Sequence, residues 1–431
     1  MKTLLILLIL VVNCADNHPN REWLNQISLY TISNPWDGNP TTPNIPTMPS
    51  TPPITQGELK FTLHQFNGTN PVFFFDNTRQ ITFGLSVYLD ETNAAGAEVF
   101  FSTLEGAEGV FRALADENGN LTGNFIIDPI LNKINLKIKF NEYELNAVLD
   151  VKNGQVNSTG GGIVGTSSPV TEPDSDGDGI KDKDDNYPSD PDRATKINYP
   201  TNGYYTVAYE DLYPRQGDAD FNDYVVRVRY EEDLNSRGEV KRVRGYYQHV
   251  AKGAGYNHIL KLTLPNVPKA NYTLKNFTST DILESEITAE VTTENSISLF
   301  SQSNLTIGRS NTEKNQSFEL GKKAEVEFIL ETPISKSQLG FVPYDLFIYV
   351  VNTKQEIHFA GKKFDQNGKD LYLDETSFPW AIMVPGNFKW PYERNNMHVA
   401  YPKFESWYKS LGQVDVDWYN FPILEQVFQS E

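Results

Sequence analysis

The chain has one cysteine in 431 residues, so it can form no intramolecular disulfide. A protein of this length without that staple must rely on its cores and on bound ions if it works outside the cytoplasm. Histidine is scarce, with six residues, and His64, His249, His258 and His398 show no metal-ligand spacing. There is no H-E-x-x-H and no serine or cysteine nucleophile motif, which argues against an enzyme. Positive charge is also short. Thirty-seven Lys and Arg stand against 56 Asp and Glu, giving a formal net charge of −19 and a pI near 4.8. Gripping phosphates needs clustered Lys and Arg, so nucleic acid is excluded as a partner, whereas a cation is favoured. Beyond the first dozen residues no apolar run is long enough to span a bilayer as a helix.

The N-terminus does carry an apolar run, Leu4 to Val12, behind Lys2. This is the layout of a secretory signal and is too short for a membrane-spanning helix. It ends at Asn13-Cys14. A lone cysteine directly after such a run resembles the lipobox of bacterial lipoproteins, although Asn13 stands where a small residue is usual. The resemblance implies a signal peptide over 1–14, a lipid on the Cys14 thiol, and a chain anchored to the cell envelope at the outer membrane. Residues 15–57 read as a Pro/Thr-rich tether. Pro35, Pro40, Pro43, Pro46, Pro49, Pro52 and Pro53 favour extended polyproline II backbone over a packed core.

Residues 58–152 alternate with period two. Ile81, Phe83, Leu85, Val87 and Leu89 interleave with Thr82, Gly84, Ser86 and Tyr88, as in a strand with one buried face. Val99 to Phe101 and Phe125 to Ile127 add short apolar strands, and turn signals lie between them. A small β-sandwich is expected. Residues 153–173, with Gly160-Gly161-Gly162 at their centre, read as a Gly/Ser linker.

The linker runs into Asp-Ser-Asp-Gly-Asp-Gly-Ile-Lys-Asp-Lys-Asp-Asp, residues 174–185. Carboxylates fall at loop positions 1, 3, 5, 9 and 12: Asp174, Asp176, Asp178, Asp182 and Asp185. Gly179 takes the sharp turn at position 6, and Ile180 offers a backbone carbonyl at position 7. Calcium wants about six to eight oxygens, and these carboxylates would otherwise repel one another. Pro173 before the loop and Tyr187-Pro188 after it leave no room for the flanking helices of an EF-hand, and position 12 is Asp rather than Glu. The loop, taken with its flank as 174–192, resembles a thrombospondin type 3 calcium repeat, which implies a structural ion. The alternative is a solvated acidic linker.

A second acidic motif follows, from Ala208 to Val226. Glu210, Asp211, Asp218, Asp220, Asn222 and Asp223 surround a turn containing Pro214 and Gly217. One reading is a second calcium site with Asn222 as an amide ligand. The other is a turn in which carboxylates cap backbone amides.

These motifs, with Gly253-Ala254-Gly255-Tyr256, Glu356-Ile357-His358, Pro379 to Pro385, Tyr392-Glu393-Arg394 and Ala400-Tyr401 through Trp407, occur in an order that resembles the LruC domain family of bacterial lipoproteins. The resemblance runs from about 174 to 431. It implies an exported, often lipid-anchored, β-rich protein, of a family with no established enzymatic activity. Asn257-His258-Ile259 and the stretch before Phe378 depart from the family pattern.

Residues 193–431 thus read as a larger β-rich domain. Val225 to Arg229 and Val240 to Tyr247 flank a polar turn and carry Arg227, Arg229, Arg237, Lys241, Arg242 and Arg244, which suit the chain's own acidic groups. Ala324, Val326, Phe328 and Leu330 alternate, and Leu346 to Val351 is continuously apolar. Ala400, Phe404, Trp407 and Leu411 predict one helix with Gly412 as its cap. The expected whole is mainly β: a small N-terminal β-sandwich and a larger β-rich C-terminal domain with a short C-terminal helix. The expected function is a non-enzymatic, calcium-stabilised, lipid-anchored envelope protein, with a protein or glycan as a further ligand. Trp380, Trp390, Trp407 and Trp418, if exposed, would suit a host- or glycan-binding adhesin. Glu356 and His358, or carboxylates near Asp218, would suit a calcium-dependent hydrolase if they lined a cleft.

Overall fold

A computed structural model describes residues 57–67, 73–103, 109–151, 159–162, 172–215, 217–253, 255–293 and 295–429. All of the described residues belong to one compact unit. The expected signal peptide, Cys14 and nearly all of the tether lie outside the described residues. The described part is mainly β, as its alternating sequence predicts.

The first lobe is a sandwich of two antiparallel sheets. One has five strands, with Arg79–Leu89 at its centre between Leu59–Asn67 and Asn120–Ile127. The other has four: Gly109–Leu114, Glu98–Ser102, Lys133–Phe140 and Tyr143–Asp150. Ile81, Phe83, Leu85 and Val87 point inward as their period requires. Phe66, Phe83, Phe111 and Phe125 surround Phe101, with ring centroids 4.7 Å (Phe83) to 6.4 Å (Phe111) from its own. Within the expected linker, Thr159–Gly162 forms a strand antiparallel to Leu59–Thr62. Composition signalled flexibility there, but the glycine backbone still offers amides and carbonyls to an open sheet edge.

The second lobe is built on an eight-stranded sheet whose middle runs Lys323–Ile334, Val240–Lys252, Tyr224–Leu234 and Tyr205–Tyr209. Around Tyr205–Tyr209 and Tyr224–Leu234 both of its faces are covered. One packs on a four-stranded sheet containing His258–Thr263 and Asp345–Val350, through Val207, Val226, Val228, Leu260 and Ile348. The other, bearing Ala208, Val225 and Ala251, packs on the C-terminal segment with Trp390, Phe404, Trp407 and Trp418. The lobes share these cores. Ile126 of the first joins the inner core of the second, and Phe75 lies edge-on to Trp407 at 5.9 Å.

The predicted C-terminal helix is two short ones, Met397–Ala400 and Phe404–Lys409. Pro402 between them has no N–H to donate and pushes Tyr401 out of helical backbone. Ala400, Phe404 and Trp407 are buried as expected, but Leu411 is exposed, past the helix end. Gly412 does close the turn, at φ 74°, with its N–H donating to the Trp407 carbonyl at 2.9 Å.

The basic hairpin is occupied internally. Arg242 pairs with the buried Asp233, Arg244 with Glu231 at 2.8 Å, and Arg229 with Glu231 at 2.7 Å.

Truncating Phe101 to Ala removes the hub of the phenylalanine cluster and should cost about 3–5 kcal/mol. Denaturant unfolding should show this as a lower midpoint. An unchanged midpoint would mean that the cluster does not hold the first lobe.

Candidate metal centres

The loop 174–185 is shaped by its own carboxylates. Gly177 and Gly179 take positive φ, 78° and 100°, so the backbone coils tightly. Asp174 accepts from the amides of Gly177 (2.9 Å) and Gly179 (3.2 Å), Asp178 from Ile180 (2.7 Å), and Asp185 from Tyr187 (2.6 Å). Asp174, Asp176 and Asp178 each bring an oxygen within 4.8 Å of the others. The second oxygens, Oδ2, of Asp176, Asp178 and Asp185 are buried and have no hydrogen-bond partner. Burial, and then the charges of Asp178 and Asp176, push the Asp185 carboxyl up to about 6. Asp182 turns the other way, accepting from the Ser175 amide and hydroxyl, both at 2.7 Å. The Ile180 side chain is buried.

This loop touches both lobes. An added side chain at Gly179 would lie 2.6 Å from Leu114 of the first lobe. Arg112 donates to the Asp184 carbonyl, and Lys139 meets the Asp184 carboxylate at 2.5 Å. On the other side the Tyr187 hydroxyl donates to Asp233 at 2.6 Å, and the Asn186 amide donates to the Ala194 carbonyl at 2.8 Å.

The second motif forms a buried group. Glu210, Asp220 and Asp223 bring oxygens within 4.8 Å of one another, and Asp218, Asp220 and Glu393 do the same. The turn is tight, with Gly217, Ala219 and Phe221 at φ 64°, 56° and 50°. Burial, before any neighbouring charge, raises the carboxyls of Glu210 and Asp223 far above their ordinary range and Asp220 to about 8. Asp211, expected to be a ligand, instead receives His258 Nε2 at 2.9 Å, and its amide donates to Asp223 at 2.8 Å. The buried imidazole beside it draws that side chain out of the group. Glu393 joins from far along the chain. The only sequence signal for it was its place in the Tyr392-Glu393-Arg394 motif.

Of the Glu356 and His358 pair, His358 is buried and Glu356 is exposed. His358 bonds Asp345 at 2.7 Å and Glu356 at 3.3 Å, and stacks on Phe347 at 4.1 Å. Asp211, His258 and Ser303 form a line, with His258 Nδ1 3.4 Å from the Ser303 hydroxyl. An acid, an imidazole and a hydroxyl in sequence can activate a nucleophile, but His258 and Ser303 are both fully buried, at 0 % exposure. Trp380, Trp390, Trp407 and Trp418 are all buried as well, so none of them forms the exposed aromatic surface that an adhesin reading needs.

Residues 238–419 match a family model described as a domain of unknown function, DUF4842. The match lies within the 174–431 stretch that carries the ordered motifs. No curated protein matches the chain. Among solved structures, the chain is similar to a Bacteroides ovatus protein provisionally described as a lipoprotein, with 14 % identity and a TM-score of 0.46 over 78 % of this chain and 100 % of that one.

The raised carboxyls set a pH dependence. A carboxyl whose pKa is higher folded than unfolded binds its proton more tightly in the fold. Its contribution is therefore complete below the ordinary carboxylate range near 3.8 and is lost as pH climbs through 6 for Asp185 and 8 for Asp220. With divalent cations chelated, the melting temperature should fall as pH rises through this window. Asp185→Asn should flatten its lower part. A profile that rises through the window would contradict the assignment.

Proposed function

We propose that this protein is a non-enzymatic, calcium-stabilised component of the bacterial cell envelope, tethered by a lipid on Cys14. Calcium in the 174–185 loop would clamp the two lobes. The observation that carries this reading is the set of buried, partnerless oxygens on Asp176, Asp178 and Asp185, within a loop bonded to both lobes. Leaving a buried carboxylate oxygen unsatisfied is costly, and a hard divalent cation is the group that would satisfy several at once. Asp174 would complete the inner set. Asp182 would act from outside, by holding Ser175.

The anchor rests on the apolar run and Cys14. Placement at the outer membrane extends that reading, and the LruC-type and thrombospondin-type assignments rest on their ordered motifs. The absence of a catalytic role is supported by the closed surroundings of His258 and His358. Nothing among the described residues favours a particular protein or glycan ligand.

Calcium should raise the melting temperature relative to EDTA. An ion at 100 times its Kd adds about 2.7 kcal/mol. Replacing Asp176 and Asp178 together by Asn should remove part of that gain, and an undiminished gain would sink the clamp. For the anchor, Cys14→Ser should move the exported protein from the detergent phase to the aqueous phase. Unchanged partitioning would rule out the lipid.

A further inference from the structure

The clamp leaves a second group of buried acids unexplained, at the start of strand Tyr224–Leu234. We propose that Glu210, Asp220, Asn222 and Asp223 hold another divalent cation of the calcium class, and that Asp218 and Glu393 line its mouth. The ion would latch the C-terminal segment onto the large sheet. This site is separate from the clamp and does not depend on it.

The three carboxylates share one small volume and are almost wholly sealed, with Glu210 and Asp220 each 1 % exposed. Three like charges so close together in a core cannot persist without a counter-ion or protons. Lys252 contributes a positive field, but it acts on Asp211 before Asp223. Two further atoms point to a ligand. Glu210 Oε2 and Asn222 Oδ1 are buried with no hydrogen-bond partner. Asn222 is 0 % exposed, and its amide nitrogen is committed to the Pro391 carbonyl at 3.1 Å. The backbone also yields space here. A side chain at Gly253 would run into Asn222 Oδ1 and come within 3.0 Å of the Asp223 Cα. Gly253 therefore leaves room for the carboxamide.

The donors identify the class. All are oxygens, and the nearby imidazole of His258 is spent on Asp211. An all-oxygen set suits calcium, magnesium or manganese rather than zinc or copper. Its irregular members, drawn from separate segments, suit the flexible coordination of calcium better than the strict octahedron of magnesium.

The latch follows from what is bonded to the cluster. The Arg394 amide donates to Asp220 at 2.7 Å, the Asn396 side chain to the Asp218 carbonyl at 3.2 Å, and the Met397 amide to the Ala219 carbonyl at 2.7 Å. These contacts hold the segment that carries Trp390, Met397 and Trp407 into the outer core. A cation drawing Asp220 inward would tie that layer down.

Native mass spectrometry in calcium tests the proposal on the whole chain. The wild type should carry a loop ion and a cluster ion. Asp176→Asn with Asp178→Asn should lose only the first, and Glu210→Gln with Asp223→Asn only the second. Glu393→Gln, at the mouth, should weaken the cluster ion about tenfold or more, the effect typical of supporting residues. If the Glu210 variant holds as many ions as the wild type, the proposal is wrong. If the loop variant loses none while the Glu210 variant loses one, the clamp reading fails and this one stands. Should the Glu210 variant not fold, calcium anomalous scattering from wild-type crystals decides. A peak among Glu210, Asp220 and Asp223 is required, and its absence overturns the proposal. Replacement of calcium by magnesium at equal concentration should leave the cluster ion weaker; equal retention would overturn the calcium assignment.

Discussion

Strand Tyr224–Leu234 is the constraint on which the rest is hung. It is hydrogen-bonded to Val240–Lys252 on one side and to Tyr205–Tyr209 and Thr195–Tyr199 on the other. Both faces are covered, Val226 and Val228 by the second sheet and Val225 by the C-terminal layer. A strand buried on both faces cannot shift by one residue without exchanging those two sets of neighbours. Its ends are therefore fixed points. Asp220, Asn222 and Asp223 lead into one end. Glu231, Glu232 and Asp233 lie at the other, where Asp233 receives the Tyr187 hydroxyl that follows the 174–185 loop.

The two ends treat buried acid differently. Asp233 is surrounded by Arg193, Arg242 and Arg244, and Glu232 by Lys336 and the Tyr344 hydroxyl. Those charges are matched within the protein. In the other two acid groups, Glu210 Oε2 and the Oδ2 atoms of Asp176, Asp178 and Asp185 are buried without a hydrogen-bond partner, with Lys252 near the first group and Arg112 near Asp185. The same chain can evidently supply arginine where an acid is to be neutralised. Partnerless oxygens within groups of acids that lie within 4.8 Å of one another support the cation readings more strongly than a count of acids would.

Legibility followed the range of the interaction. Period-two alternation located Ile81 to Val87 and Ala324 to Leu330, because a strand with one buried face writes itself into adjacent residues. The acidic loop was legible for the same reason, since its ligand candidates lie within twelve positions. The seam was not. Leu114 against Gly179 and Phe75 against Trp407 join segments whose patterns look complete without each other. The contact of Asp211 with His258 is not legible either, because the two are 47 positions apart. The approach of Glu393 to Asp218 and Asp220 is not legible, because Arg394 and Asp220, which meet in the fold, are 174 positions apart. The C-terminal periodicity named the right buried faces, but Pro402 broke the helix that was to carry them.

A chain with one cysteine and a charge of −19 has a particular problem if it is exported. Disulfides reduce the entropy of the unfolded chain wherever the protein is. Bound ions stabilise only in proportion to the logarithm of their concentration over Kd. Structural calcium modules that work outside cells are typically tuned to about 10⁻⁴–10⁻³ M. Under that regime the carboxylates of the loop would repel one another until export and would be neutralised after it. The clamp between the lobes would then be made in the compartment where the protein is used. The partly buried carboxylates of the loop, set between the lobes, fit that conditional stability. Acids placed for solubility alone would gain nothing from burial and would suffer its desolvation cost.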